Sequence, residues 1–355
     1  MAARFDIFDQ AVLTDVINRP FQTMREDQAF LGEQIAPMKT IQSRSAKLQV
    51  NDIVAFGLGQ FKAPDATPPL WSPIVSWKEQ IIELALLEEM HRISGEDWLR
   101  LHSTDDVISR VAGMDLVERG RALQLRNERL TEWMRWQAFK GNLTIKYPTG
   151  DQLYINYGML PTHLPTAATL WSDVVNADPV SDIQAWSTLI AADSGYYGTK
   201  LHMTSLCWDY LIRNQKIKNS VNFYAGGANI INRPRRAEIL ELFTSFAASV
   251  DVVIYDNGYR AEGVVGQGWP GSITKYLPDD HVLMTTEYVV DLGEIADTLD
   301  GQVLINSGYN SVSINQGMQS EVILDPMSKN HFLRQASARI PRIKLPECFL
   351  YAKIA

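Results

Sequence analysis

The longest regular hydrophobic pattern in the chain runs from Thr104 to Gly141. Ala112, Leu116, Leu123, Leu130 and Met134 fall at spacings of four, seven, seven and four, which places them on one stripe of an α-helix. Thr104 is a good N-cap, Asp105 and Asp106 put negative charge at the positive end of the helix dipole, and Gly141 supplies the stop. About 36 residues at 1.5 Å each make a rod of roughly 54 Å, against about 8 to 20 residues for most globular helices. The pattern fits an ordinary amphipathic helix of a large domain, or a spine in something that must keep its shape across a wide surface.

Upstream, Phe5, Ile7, Phe8, Val12, Leu13, Val16 and Ile17 make a short helix, and Phe21 to Ser45 reads as an extended arm that needs something to lie on. Lys47 to Phe56 and Ile74 to Leu87 are strand-like runs. Between them stand Gly57-Leu58-Gly59 and then Pro64, Pro68, Pro69 and Pro73, so the runs form a long hairpin. Strands of about 10 to 12 residues reach roughly 35 to 40 Å, and an isolated two-stranded ribbon is marginal in water. Leu70 and Trp71 near its tip are costly to leave exposed. The ribbon either folds back on its own domain or docks on a neighbouring subunit, and the second reading is preferred.

Downstream, Leu143–Ile145 and Leu153–Tyr157 alternate around Pro148-Thr149-Gly150-Asp151, a second hairpin. A helix follows with Asp178 as cap, Pro179 in its first position, Gly195 at its end and Ile183, Trp186 and Ile190 inward. Further elements are a strand at Lys200–Thr204 and a helix at Ser205–Arg213. A helix from Pro234 then turns Ile239, Leu240, Phe243 and Phe246 inward, and strands lie at Val250–Tyr255, His281–Thr285 and Cys348–Ile354. With strands beside helices but no regular βαβ alternation, the fold class is α+β.

Composition narrows the function. The 355 residues allow two or three subdomains, and 46% hydrophobic content marks a folded protein. The net charge of −8 argues against a broad nucleic-acid grip but suits a protein lying near DNA. Cys207 and Cys348 are too few for a disulfide framework or a four-cysteine metal site. Met1 to Pro20 has no signal-peptide core, and no run of 18 apolar residues spans a membrane.

The candidates for chemistry are weak. Gly266-Gln267-Gly268-Trp269-Pro270-Gly271 matches G-x-G-x-x-G by letter, but no helix opens after it to receive a phosphate. None of His91, His102, His163, His202, His281 and His331 has metal-ligand spacing. Glu88-Glu89, Asp105-Asp106 and Asp279-Asp280 are adjacent carboxylates, which do not share a face on a helix. Arg233, Arg235 and Arg236, and Arg334, Arg339, Arg342 and Lys344, read as interface ion pairs. No cofactor, metal or catalytic residue is expected.

The order of parts (arm, long hairpin, spine helix, hairpin, inserted helix-and-strand domain, final strand) resembles the lambda-type, protein E family of tailed-phage major capsid proteins. Four segments carry the likeness: Lys140-Gly141-Asn142-Leu143-Thr144 with Asn156-Tyr157-Gly158, Asp178 to Ile183, Tyr276 to Leu283, and Ala336 to Arg342. The resemblance implies a Hong Kong 97-type fold. Its parts would be an N-terminal arm over 1–45, an E-loop hairpin over 46–90, a peripheral domain over 95–177 with the spine helix at 105–140, an axial domain over 178–320, and a return to the peripheral domain over 321–355. It implies hexamers and pentamers that close an icosahedral head around double-stranded DNA, with portal, scaffolding and decoration proteins as further partners and no membrane. The virion would assemble in the host bacterial cytoplasm, with a separate scaffolding protein or prior cleavage. Leu58, Leu70, Trp71, Phe21, Phe30, Arg233 and Arg339 are the candidate intersubunit contacts. The alternatives are an encapsulin-like compartment shell and a soluble α+β enzyme or ligand-binding protein.

Overall fold

The computed structural model describes residues 13–14, 17, 30–50, 78–147, 150–224, 234–245, 248–260, 273–287, 294–306, 312–324 and 330–355. Along the chain the first elements are α1 (Leu31–Ile35), β1 (Met38–Thr40), β2 (Ser45–Val50), β3 (Lys78–Glu83), β4 (Ala85–Ile93), α2 (Gly95–Leu101) and the long α3 (Asp106–Phe139). Then come β5 (Asn142–Lys146), β6 (Gln152–Asn156), α4 (Pro179–Ser194), β7 (Lys200–Met203), α5 (Ser205–Arg213), α6 (Gln215–Tyr224) and α7 (Arg236–Thr244). The rest is β-structure: β8 (Asp251–Ile254), β9 (Gly258–Arg260), β10 (Ile273–Lys275), β11 (His281–Thr285), β12 (Ala296–Asp300), β13 (Gln302–Asn306), β14 (Val312–Gln316), β15 (Gln319–Leu324), β16 (His331–Ile343) and β17 (Phe349–Lys353).

Two units emerge. The first gathers the N-terminal residues to Lys47, Ile81–Arg135 and Asp297–Arg342, and the second Leu48–Gln80, Trp136–Ala296 and Ile343–Ala355. This division differs from the expected domains. Residues 136–177 group with the second unit rather than with the spine, and 297–320 group with the first, because their strands pair there.

In the first unit, β16 is the central strand. It runs antiparallel to β15 and to β4, while β1 and β12 extend the sheet, pairing in parallel with Met38 opposite Thr298. The strand-like run expected over 74–87 therefore splits at Leu84. Lys78–Glu83 pairs with β2 in a ribbon, and Ala85–Ile93 joins the core sheet. The tip expected at 57–73, with Leu58, Leu70 and Trp71, lies outside the described residues.

The helix α3 packs on the β4–β16 face. Its N-cap is Asp105, whose Oδ1 accepts the Val107 N–H at 2.9 Å, and not Thr104. Gly141, at φ +93°, takes the left-handed conformation that follows its end. Leu116, Leu123 and Met134 are buried as the stripe requires, but Leu130 is exposed. A straight helix drifts by about 20° per heptad, so two steps of seven from Leu116 leave the contact face. Asn127 and Thr131 take that place.

Residues 30–40, within the expected arm, pack on their own chain. Leu31 and Ala36 are buried, Gly32 N–H donates to Glu132 Oε1 at 2.8 Å, and β1 completes the sheet edge. Leu13 and Ile17 are also fully buried, in a cluster with Ile93, Leu101, Leu116, Leu123 and Leu333. Gly120 is the notch that admits Ile17. A Cβ there would stand 2.5 Å from Ile17 Cδ1.

The second unit is built on the sheet β17-β11-β7-β8, antiparallel except for the β7–β8 pair. Its core joins Trp171, Trp186, Ile183, Ile190, Leu201, Met203, Leu211, Phe243 and Leu350. The helix α4 is capped as its sequence predicts: Asp178 accepts Ser181 N–H, Pro179 opens it and Gly195 at φ +79° closes it. β5 and β6 pair antiparallel as the expected hairpin. The glycine-rich loop 266–271 and Phe246 lie outside the described residues.

Candidate assembly surface

The first three turns of α3 are apolar on two sides. One side, with Ala112 and Leu116, packs on the cluster that holds Leu13 and Ile17. On the opposite side Val107, Val111 and Met114 follow one another at i, i+4 and i+7 and are 70, 61 and 63% exposed. Ile108 flanks this row, and Leu99 of α2 is 73% exposed. Three large apolar side chains so exposed along one face of a helix are of the kind that marks a protein contact. The sequence reading missed this second row because it followed one stripe, although the spacing is plain in Val107, Val111 and Met114.

Toward the far end of α3, several buried charged groups pair within the chain. Arg339, expected between subunits, is buried with its own chain's partners. Its Nε donates to Asp300 Oδ2 at 3.1 Å and its Nη1 to Glu128 Oε1 at 2.9 Å and Thr131 Oγ1 at 3.3 Å. Burial opposes both charges of this group. Two carboxylates outweigh it for Arg339, whose pKa is held above the ordinary arginine value. Asp300 has only the one guanidinium to offset burial, and its carboxyl is pushed up. Likewise Arg342 holds buried Asp297 at 2.5 and 2.8 Å, and Arg135 Nε donates to Thr298 Oγ1 at 2.9 Å. The Thr298 hydroxyl in turn donates a hydrogen bond to Ala36 O at 2.9 Å, tying α3 to the segment before β1.

Of the other predicted contacts, Phe30 is half-buried just before α1, while Phe21 and Arg233 lie outside the described residues, as do Leu58, Leu70 and Trp71. The carboxylate pairs are divided among separate partners. Glu88 binds Arg334 and Glu89 binds Arg126 from opposite faces of β4, Asp279 binds Lys275, and Asp280 binds His281. Among the described residues no group of three or more His, Cys, Asp or Glu could hold a metal ion, and no helix is long and apolar enough to cross a membrane. Cys207 and Cys348 are both buried, and burial pushes the Cys348 thiol up to about 11. What this surface can do is pack against other protein.

Comparison with known proteins agrees. The family model described as phage major capsid protein E matches residues 81–300. No curated protein matches the chain. Among solved structures, a phage-related protein from Bordetella bronchiseptica RB50 is similar at a TM-score of 0.56 and 13% identity, over 97% of this chain and 96% of that one. A prophage capsid protein from E. coli CFT073 is similar at 0.53 and 15%, over 96% and 97%. At these identities the likeness shows the fold, an α+β arrangement of the Hong Kong 97 type.

Proposed function

The chain belongs to the phage major capsid protein E family and has the role of a capsid shell subunit, and from that premise we propose that its copies form the hexamers and pentamers of an icosahedral head that encloses double-stranded DNA. The observation that carries this reading is the open row Val107, Val111 and Met114. It lies on a helix whose opposite face is already filled by the chain's own Leu13 and Ile17 cluster. An apolar row of that size is stabilised only by another protein surface, and a lattice of copies supplies one to every subunit.

In this reading the E-loop is the part of the 46–90 segment that precedes Ala85, since Ala85–Ile93 belongs to the core sheet, and it lies on the adjacent subunit with Leu58, Leu70 and Trp71 as its anchors. Phe21, Phe30 and Arg233 belong to further intersubunit contacts. Residues 178–320 supply most of the axial domain and the spine helix stiffens the peripheral one. The net charge of −8 leaves packaged DNA free to move past the wall. Portal, scaffolding and decoration proteins are the remaining partners, and assembly takes place in the host cytoplasm.

The test is the hydrodynamic state of the purified chain, followed by negative-stain microscopy. Capsomers or closed particles are expected. A variant lacking residues 57–73 should keep its circular dichroism and form no particles. A discrete small oligomer that never assembles would refute the shell reading, and normal particles from the deletion would refute the docking hairpin.

A further inference from the structure

Two contacts fix how the spine helix lies along β16. At Gly120 a Cβ would stand 3.4 Å from Leu333 Cδ2, and eleven residues later Thr131 Oγ1 accepts from Arg339 at 3.3 Å. Between these points the helix presents Gln124 and Asn127, at the i, i+3 spacing of one face. The strand presents Gln335 and Ser337, which share a face with Leu333 and Arg339 by the two-residue period. Four side-chain atoms of this seam are shut off from solvent and have no hydrogen-bond partner among the described residues: Gln124 Oε1, Asn127 Nδ2, Gln335 Oε1 and Ser337 Oγ. Toward the end of the helix Asp300 Oδ1 and Arg135 Nη2 are in the same position. Asn127, Gln335, Ser337, Arg135 and Asp300 are all buried, and each stranded polar atom costs about 1–3 kcal/mol.

The chemistry of the set selects the ligand. A cation would need acceptors throughout and an anion donors throughout. Here Arg135 Nη2 can only donate and Asp300 Oδ1, as a carboxylate, only accept, while the amides of Gln124, Asn127 and Gln335 can turn either end inward and the Ser337 hydroxyl does either. Only a small molecule that both donates and accepts satisfies all of them. We propose that a file of buried water molecules occupies the seam between the spine helix and β16, bridging Gln124 and Asn127 to Gln335 and Ser337 and continuing to Asp300 and Arg135. Such waters belong to the fold, each with two to four polar partners. They also set its mechanics. Water bridges can re-form after a small shift of helix against strand, whereas the interlocked Leu116, Leu123, Leu333 and Ile17 end cannot slide without loss of packing.

The test is a structure of the assembled particle at a resolution where ordered waters are placed. Expected are water peaks within about 3.2 Å of Asn127 Nδ2, Gln335 Oε1 and Ser337 Oγ. A dry seam with Asn127 bonded directly to Gln335 would overturn the proposal, as would a metal or halide in the density. A second measurement is a double-mutant cycle on the full chain. Asn127→Leu and Gln335→Met should each lower the unfolding midpoint, and the double variant should lose less than the sum, because it empties the seam of both bridging groups together. Additive losses would count against shared waters.

Discussion

Removal of Arg339 separates a residue that holds its own subunit together from one that joins two subunits. In Arg339→Met the aliphatic stem survives, but Asp300 and Glu128 lose the guanidinium between them. Breaking a buried pair from one side costs about 3–5 kcal/mol, and here one cation serves two carboxylates and a threonine hydroxyl, so the upper end is expected. Against an ordinary stability of about 5–15 kcal/mol that is a large fraction. The sign of the pH effect is also set. Burial already pushes the Asp300 carboxyl up, and without Arg339 nothing on that side opposes it. Protonation removes the stranded charge, so the penalty of the variant shrinks as pH falls toward 4 to 5 (roughly, since the ordinary carboxylate value lies near 4). Urea unfolding of unassembled subunits, followed by tryptophan fluorescence at two pH values, reads both effects. Asp300→Asn added to Arg339→Met should recover part of the loss. Unchanged subunit unfolding together with weakened particles would refute the argument and return Arg339 to an intersubunit role.

Other substitutions probe the remaining features. Ile17→Ala empties a fully buried site against Gly120 and should cost about 2–4 kcal/mol, with faster proteolysis of the N-terminal segment than in the parent chain. Val111→Glu and Met114→Glu on the open row should change subunit stability by no more than about 0.5 kcal/mol yet prevent particle formation, as read by sedimentation. Burial pushes the His202 imidazole down to about 3, so the unfolded chain binds the extra proton. Stability should therefore fall by about 1.4 kcal/mol per pH unit below about 6.5, and His202→Gln should flatten that slope in denaturant titrations.

What the sequence made legible was local. The cap, proline and terminal glycine of α4 lie within its own stretch, as do the boundaries of α5 and the β5–β6 hairpin, and each can be read without knowledge of a partner. β12 could not be read this way. Ala-Asp-Thr-Leu-Asp resembles a surface turn, yet all five residues are buried, because Arg342 and Arg339, some forty positions later, neutralise the two aspartates. β16 was hidden for a related reason. Pro341 argues against a central strand, and Gln335, Ser337 and Arg339 look like solvent-facing residues until the spine helix covers them.

The spine helix shows why the assembly surface was harder to find than the fold. Its first turns carry two apolar rows, and periodicity alone does not say which one faces inward. That choice is tied to a segment about a hundred positions earlier, where Ile17 packs so closely on Gly120 that a Cβ there would stand 2.5 Å from its Cδ1. With one row claimed by the chain's own N-terminal residues, Val107, Val111 and Met114 are left over by necessity. A helix with apolar rows on both sides and an internal partner for one of them is stable as a fold but incomplete as a surface. With Arg339 and Arg342 already paired within the chain, the proposed shell would join one copy to the next at this face by apolar packing rather than through those charges.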